Sequence, residues 1–286
     1  MKAIRQIIRD IPQHWVGDGF PVRSLFSYAG GNQFDPFLLL DYAGPHTFFA
    51  ASEATRGVGG HPHRGFETVT IVYQGELEHR DSSGSHGTIG PGDVQWMTAA
   101  SGVVHEEFHS EQFTREGGTL EMIQLWVNLP ARDKLSPPRY QGLLADDIPC
   151  VELPDQAGRI RVIAGTFQGT SGAAHTHTPL NVWDLQLAER AEWHCDLPEG
   201  HSAMMIAQSG GVQINGSSLL PRDVAVLDRT GTQVLVTAET RARILVLTGE
   251  PIGEPVVRQG PFVMNTREEI LQAIEDYRQG RMGNLP

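Results

Sequence analysis

Cysteine is scarce in this chain: Cys150 and Cys195 are the only two among 286 residues. They stand far apart and form no CxxC pair, which excludes a thiolate zinc site and a disulfide framework. The one pairing available is a single Cys150–Cys195 bridge. Basic residues are also outnumbered, 22 Lys+Arg against 34 Asp+Glu, for a formal charge of −12. A surface of that sign repels phosphate backbones, so direct binding of DNA or RNA is disfavoured while a protein partner stays open. No apolar run is long enough to span a bilayer. The amino-terminal stretch MKAIRQIIRDIPQHW interrupts its apolar residues with charges, which a secretory signal does not do. No GxGxxG or Walker A string and no Ser/His/Asp nucleophile motif stands out, so nucleotide binding has no support. These absences together give the expectation of a soluble protein of a reducing compartment, the cytoplasm.

What is abundant is turn chemistry, with 32 glycines and 18 prolines. Between the turns lie short apolar or alternating runs. Phe37–Tyr42, Thr68–Tyr73, Glu76–Arg80, Val94–Thr98, Val103–Phe108 and Leu120–Leu129 read as strands, with Asp81–Ser85 and Gly90–Asp93 as turns between them. Strands recur every 8–12 residues, the spacing of an all-β sandwich or barrel. Residues 130–145, PARDKLSPPRYQGLLA, carry three prolines and several charges and read as a linker, after which strands resume. The resulting division is 1–135 and 136–286. The halves echo one another: Ile71–Gly75 resembles Ile206–Gly210, and Pro91–Val94 resembles Pro221–Val224. A duplicated β-sandwich with diverged halves follows. One helix is expected near the end, where Thr266 and Glu269 make a capping box and Ile270, Ile274 and Tyr277 share a face.

The chemistry concentrates between Gly57 and His109. His61 and His63 are separated by one residue, as are His105 and Glu107, and in a strand residues i and i+2 point to one face. Folding one strand over the other brings three imidazoles and a carboxylate together. That donor set suits Fe(II), Mn(II), Ni(II), Cu(II) or Zn(II), with positions left open for water or substrate. Pro62 places the strand at an edge or its start. Glu67 reaches the ligand face only if the strand runs unbroken, and Gly65 argues for a bulge. Glu106 points away from Glu107. His79, His86 and His109 read as surface or hydrogen-bonded residues. Trp96, Met97 and Trp126 read as core more readily than as pocket walls. His175-Thr176-His177 repeats the HxH spacing. Aligning the echoes, however, sets Asp196, Pro198, Leu235 and Thr237 opposite the four ligands, so the second half has no ligand set.

The stretch HPHRGFETVTIVYQGELEHRDSSGSHGTIGPGDVQWMTAASGVVHEE closely resembles the signature of the pirin family of the cupin superfamily. The resemblance extends to FDPFLLLD near the start and to GEP and GPFVMNTREE near the end. It implies an all-β bicupin: two jelly-roll β-barrel domains with a short C-terminal helix, the first holding metal and the second lacking ligands. It implies Fe(II) as the metal, held by His61, His63, His105 and Glu107, and it sets Glu67 aside. By similarity to quercetin 2,3-dioxygenases, it implies cleavage of a flavonol ring by O2 with release of carbon monoxide, Glu107 taking the hydroxyl proton. Other pirins are protein-binding regulators of transcription factors or metabolic enzymes, so that reading is carried alongside the enzyme. The complete ligand set disfavours a storage or sugar-binding cupin.

Overall fold

The computed structural model describes residues 1–27, 31–51 and 55–285. Strands dominate, as the β-branched and aromatic runs dictate. The two α-helices among the described residues are Glu111–Glu116 and Arg267–Arg278. Two compact units divide the chain: a first comprising Pro12–Ser27, Phe37–Ala145 and Ile252–Pro286, and a second comprising Met1–Ile11, Tyr28–Pro36 and Asp146–Pro251.

Each unit is built from a seven-stranded and a four-stranded antiparallel sheet, and the two units repeat one strand order. In the first, the four-stranded sheet runs Gly57–His63, Val103–His109, Leu77–Asp81, His86–Ile89. In the second it runs Glu192–Asp196, Gln233–Ala238, Val212–Ile214, Ser217–Leu219. The echo in the sequence is therefore an echo in topology. The Phe66–Gln74 strand and its counterpart Ser202–Ser209 both lie inside the seven-stranded sheets and are buried along most of their lengths.

The cut at 135/136 does not separate these units. Ile4–Ile8 pairs with Val224–Leu227 in the second unit, while Arg139–Leu143 pairs with Val94–Thr98 in the first. Both strands complete a sheet edge that would otherwise expose unpaired backbone. The segment 130–145 is thus not a linker. It forms a 3-10 turn, Ala131–Asp133, then a strand whose extended start suits the residue after two prolines. Between them the Lys134 ammonium is buried, donating to the carbonyls of Gly65 (2.7 Å) and Val263 (3.0 Å) and to Asn128 Oδ1 (2.6 Å). Cys150 and Cys195 are both free thiols.

The terminal helix forms as its capping box dictates, with the Thr266 side chain accepting from the Glu269 amide and Glu269 accepting from the Thr266 amide. It belongs to the first unit, where Ile270 and Ala273 bury against Val104, Phe262 and Met264. Tyr277 stays 40% exposed, so the buried face is narrower than the expected Ile270–Ile274–Tyr277 stripe. Just beyond the ligand strand, Gly65 adopts φ +89°, and a Cβ there would lie 2.0 Å from the Val263 carbonyl oxygen. Only glycine allows that approach.

Candidate metal centre

His105 pairs directly with His61 across the antiparallel ladder, and His63 stands two residues further along. The three rings converge, with centroid separations of 4.3 Å (His61–His105), 4.8 Å (His63–His105) and 4.8 Å (His61–His63). Their ring nitrogens lie within 4.8 Å of one another, so three donors face a common point. A bulge makes this register: Glu107 pairs with Val58 and His105 with His61, leaving an extra residue in the Gly59-Gly60 stretch. Val58 and His61 can therefore both face inward.

Glu107 shares the inward face of its strand with His105, as the i,i+2 argument requires. It is not gathered into the three-histidine group, however. It forms a second group with His79 and His105, so the two groups share His105. The facing sheet holds the Glu107 carboxylate, which accepts from Gln124 Nε2 (2.9 Å), Gln95 Nε2 (3.4 Å) and Thr70 Oγ1 (3.4 Å). Those donors lie on one cross-strand row, Ser24–Asp41–Gln124–Thr70–Gln95, each paired with the next. At the other end of the row Ser24 donates to Asp41 at 2.5 Å. Burial pushes the Asp41 carboxyl up, against the Ser24 hydrogen bond and the nearby His14.

Burial, reinforced by the neighbouring imidazoles, holds His63 and His105 well below the ordinary histidine pKa, so both are neutral and keep a lone pair for a ligand. His105 Nε2 and His63 Nδ1 are buried with no hydrogen-bond partner, a costly state for polar atoms unless something else binds them. The His61 Nδ1–H donates to the Gly59 carbonyl at 2.9 Å, which leaves Nε2 as the nitrogen open to a ligand. Three converging imidazoles, His63 and His105 among them held neutral by burial, beside a carboxylate fit a divalent transition metal.

The site opens on a cavity of about 430 Å³. Its walls include His61, His63 and Glu107 on one side and Val22, Met122 and Trp126 on the other. Trp126, expected in the core, packs on Phe66 and His63 (centroids 4.4 and 5.2 Å) and lines this cavity. Trp96 and Met97 are core, as expected. Glu67 alternates to the sheet face opposite Thr68 and Thr70 and accepts from Thr98 Oγ1 at 2.6 Å, away from the histidines. Glu106 points outward and pairs with Arg80. His86 is exposed, but His79 and His109 are buried and hydrogen-bonded, His109 to the Gly19 carbonyl at 3.0 Å. His79 is the site residue that sequence reasoning left at the margin. The signal was there in the alternation Leu77-Glu78-His79-Arg80-Asp81, which points Leu77, His79 and Asp81 inward.

In the second unit the ladder pairs Leu235 with His194 and Val234 with Cys195. Asp196 and Pro198 do not fill the inward places of His61 and His63, because this strand turns His194 and Asp196 to its outer face and ends at Asp196. Both are exposed; Trp193 and Cys195 turn inward instead. His175 and His177 lie in an irregular segment, and neither enters a metal-competent group among the described residues.

Comparison with known proteins agrees with this architecture. The pirin family model matches residues 19–127, and the model of the pirin C-terminal cupin domain matches 182–283. A Pseudomonas aeruginosa protein provisionally named a quercetin 2,3-dioxygenase is 57% identical over 98% of both chains. A pirin-like protein of Caulobacter vibrioides is 38% identical over 97% of this chain and 99% of its own. The crystal structure of a quercetin 2,3-dioxygenase from Acinetobacter baumannii superposes with a TM-score of 0.96 at 50% identity, covering 99% of each chain. The chain belongs to the pirin family and is an all-β bicupin.

Proposed function

We propose that the first unit is a metal-dependent dioxygenase site for a flavonol of the quercetin type. His61, His63, His105 and Glu107 are its metal ligands, Fe(II) is the first candidate, and Mn, Ni, Cu and Zn are the others. The observation that carries this reading is the cavity: imidazoles and a carboxylate on one wall, apolar side chains wide enough for a flat ring on the other. The relatives' names point the same way, both the P. aeruginosa protein and the A. baumannii structure being called quercetin 2,3-dioxygenases. When bound, the metal supplies Lewis acidity toward a substrate oxygen and a redox centre for O2 chemistry.

The chain's own residues do the rest. Val22, Met122 and Trp126 take the ring out of water. Glu107, acting as general base, accepts the proton of the substrate hydroxyl. Gln124, Gln95 and Thr70 hold its carboxylate toward the cavity, so it acts without reorganising. Among the described residues no helix is long and apolar enough to cross a membrane, and we place the protein in the cytoplasm. The test is anaerobic Fe(II) loading followed by quercetin and O2. Flavonol absorbance falls and carbon monoxide is released if the reading holds. Iron-loaded protein that leaves the flavonol intact overturns it and moves the function to the regulatory, protein-binding alternative.

A further inference from the structure

Behind His105 lies a buried chain that the reaction does not use. Asp81 Oδ2 lies 3.1 Å from His79 Nε2, and His79 Nδ1 lies 3.4 Å from His105 Nδ1. All three residues are buried, His105 completely. The ladder explains the alignment, since Asp81 pairs with His105 and His79 with Glu107 on the neighbouring strand.

Each proton in this chain can be assigned from its neighbours. The Asp81-Ser82-Ser83-Gly84-Ser85 turn wraps the Asp81 carboxylate. Its Oδ1 accepts from the Ser83 amide (2.8 Å), the Ser83 hydroxyl (2.6 Å) and the Ser85 amide (3.1 Å). Burial raises this carboxyl, but those bonds and the one from His79 outweigh it and hold it below the usual range. An ionised Asp81 only accepts, so the His79 proton sits on Nε2. Gln95 agrees. Its Oε1 accepts from the Tyr140 hydroxyl (3.4 Å), which turns its Nε2 toward His79 Nδ1 (3.2 Å) and makes that nitrogen an acceptor. Tyr140 remains a donor because burial, with Asp81 and Glu107 nearby, pushes its phenol up to about 12. It also stacks on the His79 ring, centroids 5.1 Å apart and 20° from parallel, which fixes the ring plane. His105 Nδ1 then carries the proton and shares the single lone pair of His79 Nδ1 with Gln95 in a three-centre bond, and its Nε2 is the bare nitrogen beside His61 and His63, with no partner among the described residues.

We propose that Asp81 and His79 form a carboxylate–imidazole chain that sets the tautomer and orientation of His105, so that His105 meets the metal through Nε2. His79 is a positioning residue and not a fifth ligand. Metal-binding histidines ordinarily give their second N–H to a carboxylate or carbonyl; here a second imidazole is inserted between ligand and carboxylate. The proposal rests on His105 being a ligand, but its first test needs no metal.

In the metal-free protein, a long-range 1H–15N spectrum is expected to show the His105 proton on Nδ1 and the His79 proton on Nε2. The reverse tautomers overturn the chain whatever the protein's activity. The second test titrates Co(II) or Zn(II) into metal-free protein against a chromophoric chelator. His79→Leu is expected to bind one metal about 10- to 100-fold more weakly, with a shifted Co(II) visible spectrum. His79→Gln, whose Oε1 can accept from His105 Nδ1–H, stays within a few-fold of wild type. Wild-type affinity in His79→Leu overturns the proposal, and so does complete loss of binding in both variants, which would make His79 a ligand. Should His79→Leu fail to fold, Asp81→Asn gives the same reading with a smaller, several-fold loss. Wild-type protein that binds metal through this chain yet leaves quercetin intact would end the dioxygenase reading and leave the chain standing.

Discussion

The two barrels place equivalent residues on equivalent ladders and fill them with opposite chemistry. In the first, one cross-strand row reads Ser24–Asp41–Gln124–Thr70–Gln95. In the second, the matching row reads Val162–Trp183–Val246–Met205–Ala225. The polar row supports Glu107 beneath a cavity; the apolar row packs with Trp193, Val212, Val234 and Val236 into a continuous core. A jelly-roll interior can thus hold a polar-floored cavity or a hydrophobic core, and the two matching rows differ in polarity at all five positions. Pairing and register survive the exchange because backbone hydrogen bonds do not depend on which side chain points inward.

The comparison can be broken most severely at the ligands. His61→Ala combined with His105→Ala should take bound metal from one per chain to none and abolish turnover, read by metal analysis and the flavonol assay, while the second barrel's unfolding is untouched. The converse change is Trp183→Ala. Trp183 is buried against Phe167, and its removal should cost the second barrel about 3–5 kcal/mol in urea unfolding without altering metal affinity. Gln124→Leu gives the first barrel a residue of the second barrel's kind. It strips Glu107 of its shortest amide donor, so metal affinity should fall roughly 10-fold and stability by about 1–3 kcal/mol.

Acid should separate the barrels more gently. In the metal-free protein His63, His105 and His109 are held neutral in the first barrel, chiefly by burial, whereas the unfolded chain takes up protons near the ordinary value of 6.5. Below about that pH the unfolded state binds more protons, so the first barrel loses stability as pH falls. In the second barrel His201, less deeply buried, is lowered in the same sense. Acid titration of metal-free protein followed by Trp126 and Trp183 fluorescence variants should therefore show the first barrel yielding at the higher pH. The smallest effect expected is that of Glu106→Ala. Glu106 lies one residue from both His105 and Glu107 but on the outer face with Arg80, whose side chain is 58% exposed. A change under about 1 kcal/mol with unchanged metal binding would confirm how sharply the strand divides inside from outside.

The shared faces of His61 with His63 and of His105 with Glu107 were legible because strand periodicity is local: two residues one apart share a face wherever the strand goes. The turn at Asp81–Ser85 and the capping box at Thr266 were legible for the same reason. Three features were not. The role of His79 depends on which strand lies beside Val103–His109, a long-range pairing that no spacing encodes. Trp126 was weighed as core because an aromatic on an apolar strand carries no mark of facing a void. The true ends of the two barrels were hidden by the exchange of edge strands, since Ile4–Ile8 and Arg139–Leu143 look no different from strands that stay with their sequence neighbours. The echo alignment missed the second barrel's register because the connection to the next strand is longer there, five residues between Asp196 and Ser202 against two between His63 and Phe66.

The placement of Ile4–Ile8 also bears on how the chain is made. Its ladder partner Val224–Leu227 is translated more than two hundred residues later. At about 5–20 residues per second, the strand waits on the order of ten to forty seconds outside the ribosome before that partner exists. Polar and charged residues interrupt its apolar ones, Arg5-Gln6 between Ile4 and Ile7-Ile8 and then Arg9-Asp10, which makes the waiting segment a poorer template for wrong pairing. The second barrel therefore cannot close until Val224–Leu227 has been made, more than two hundred residues after Ile4–Ile8.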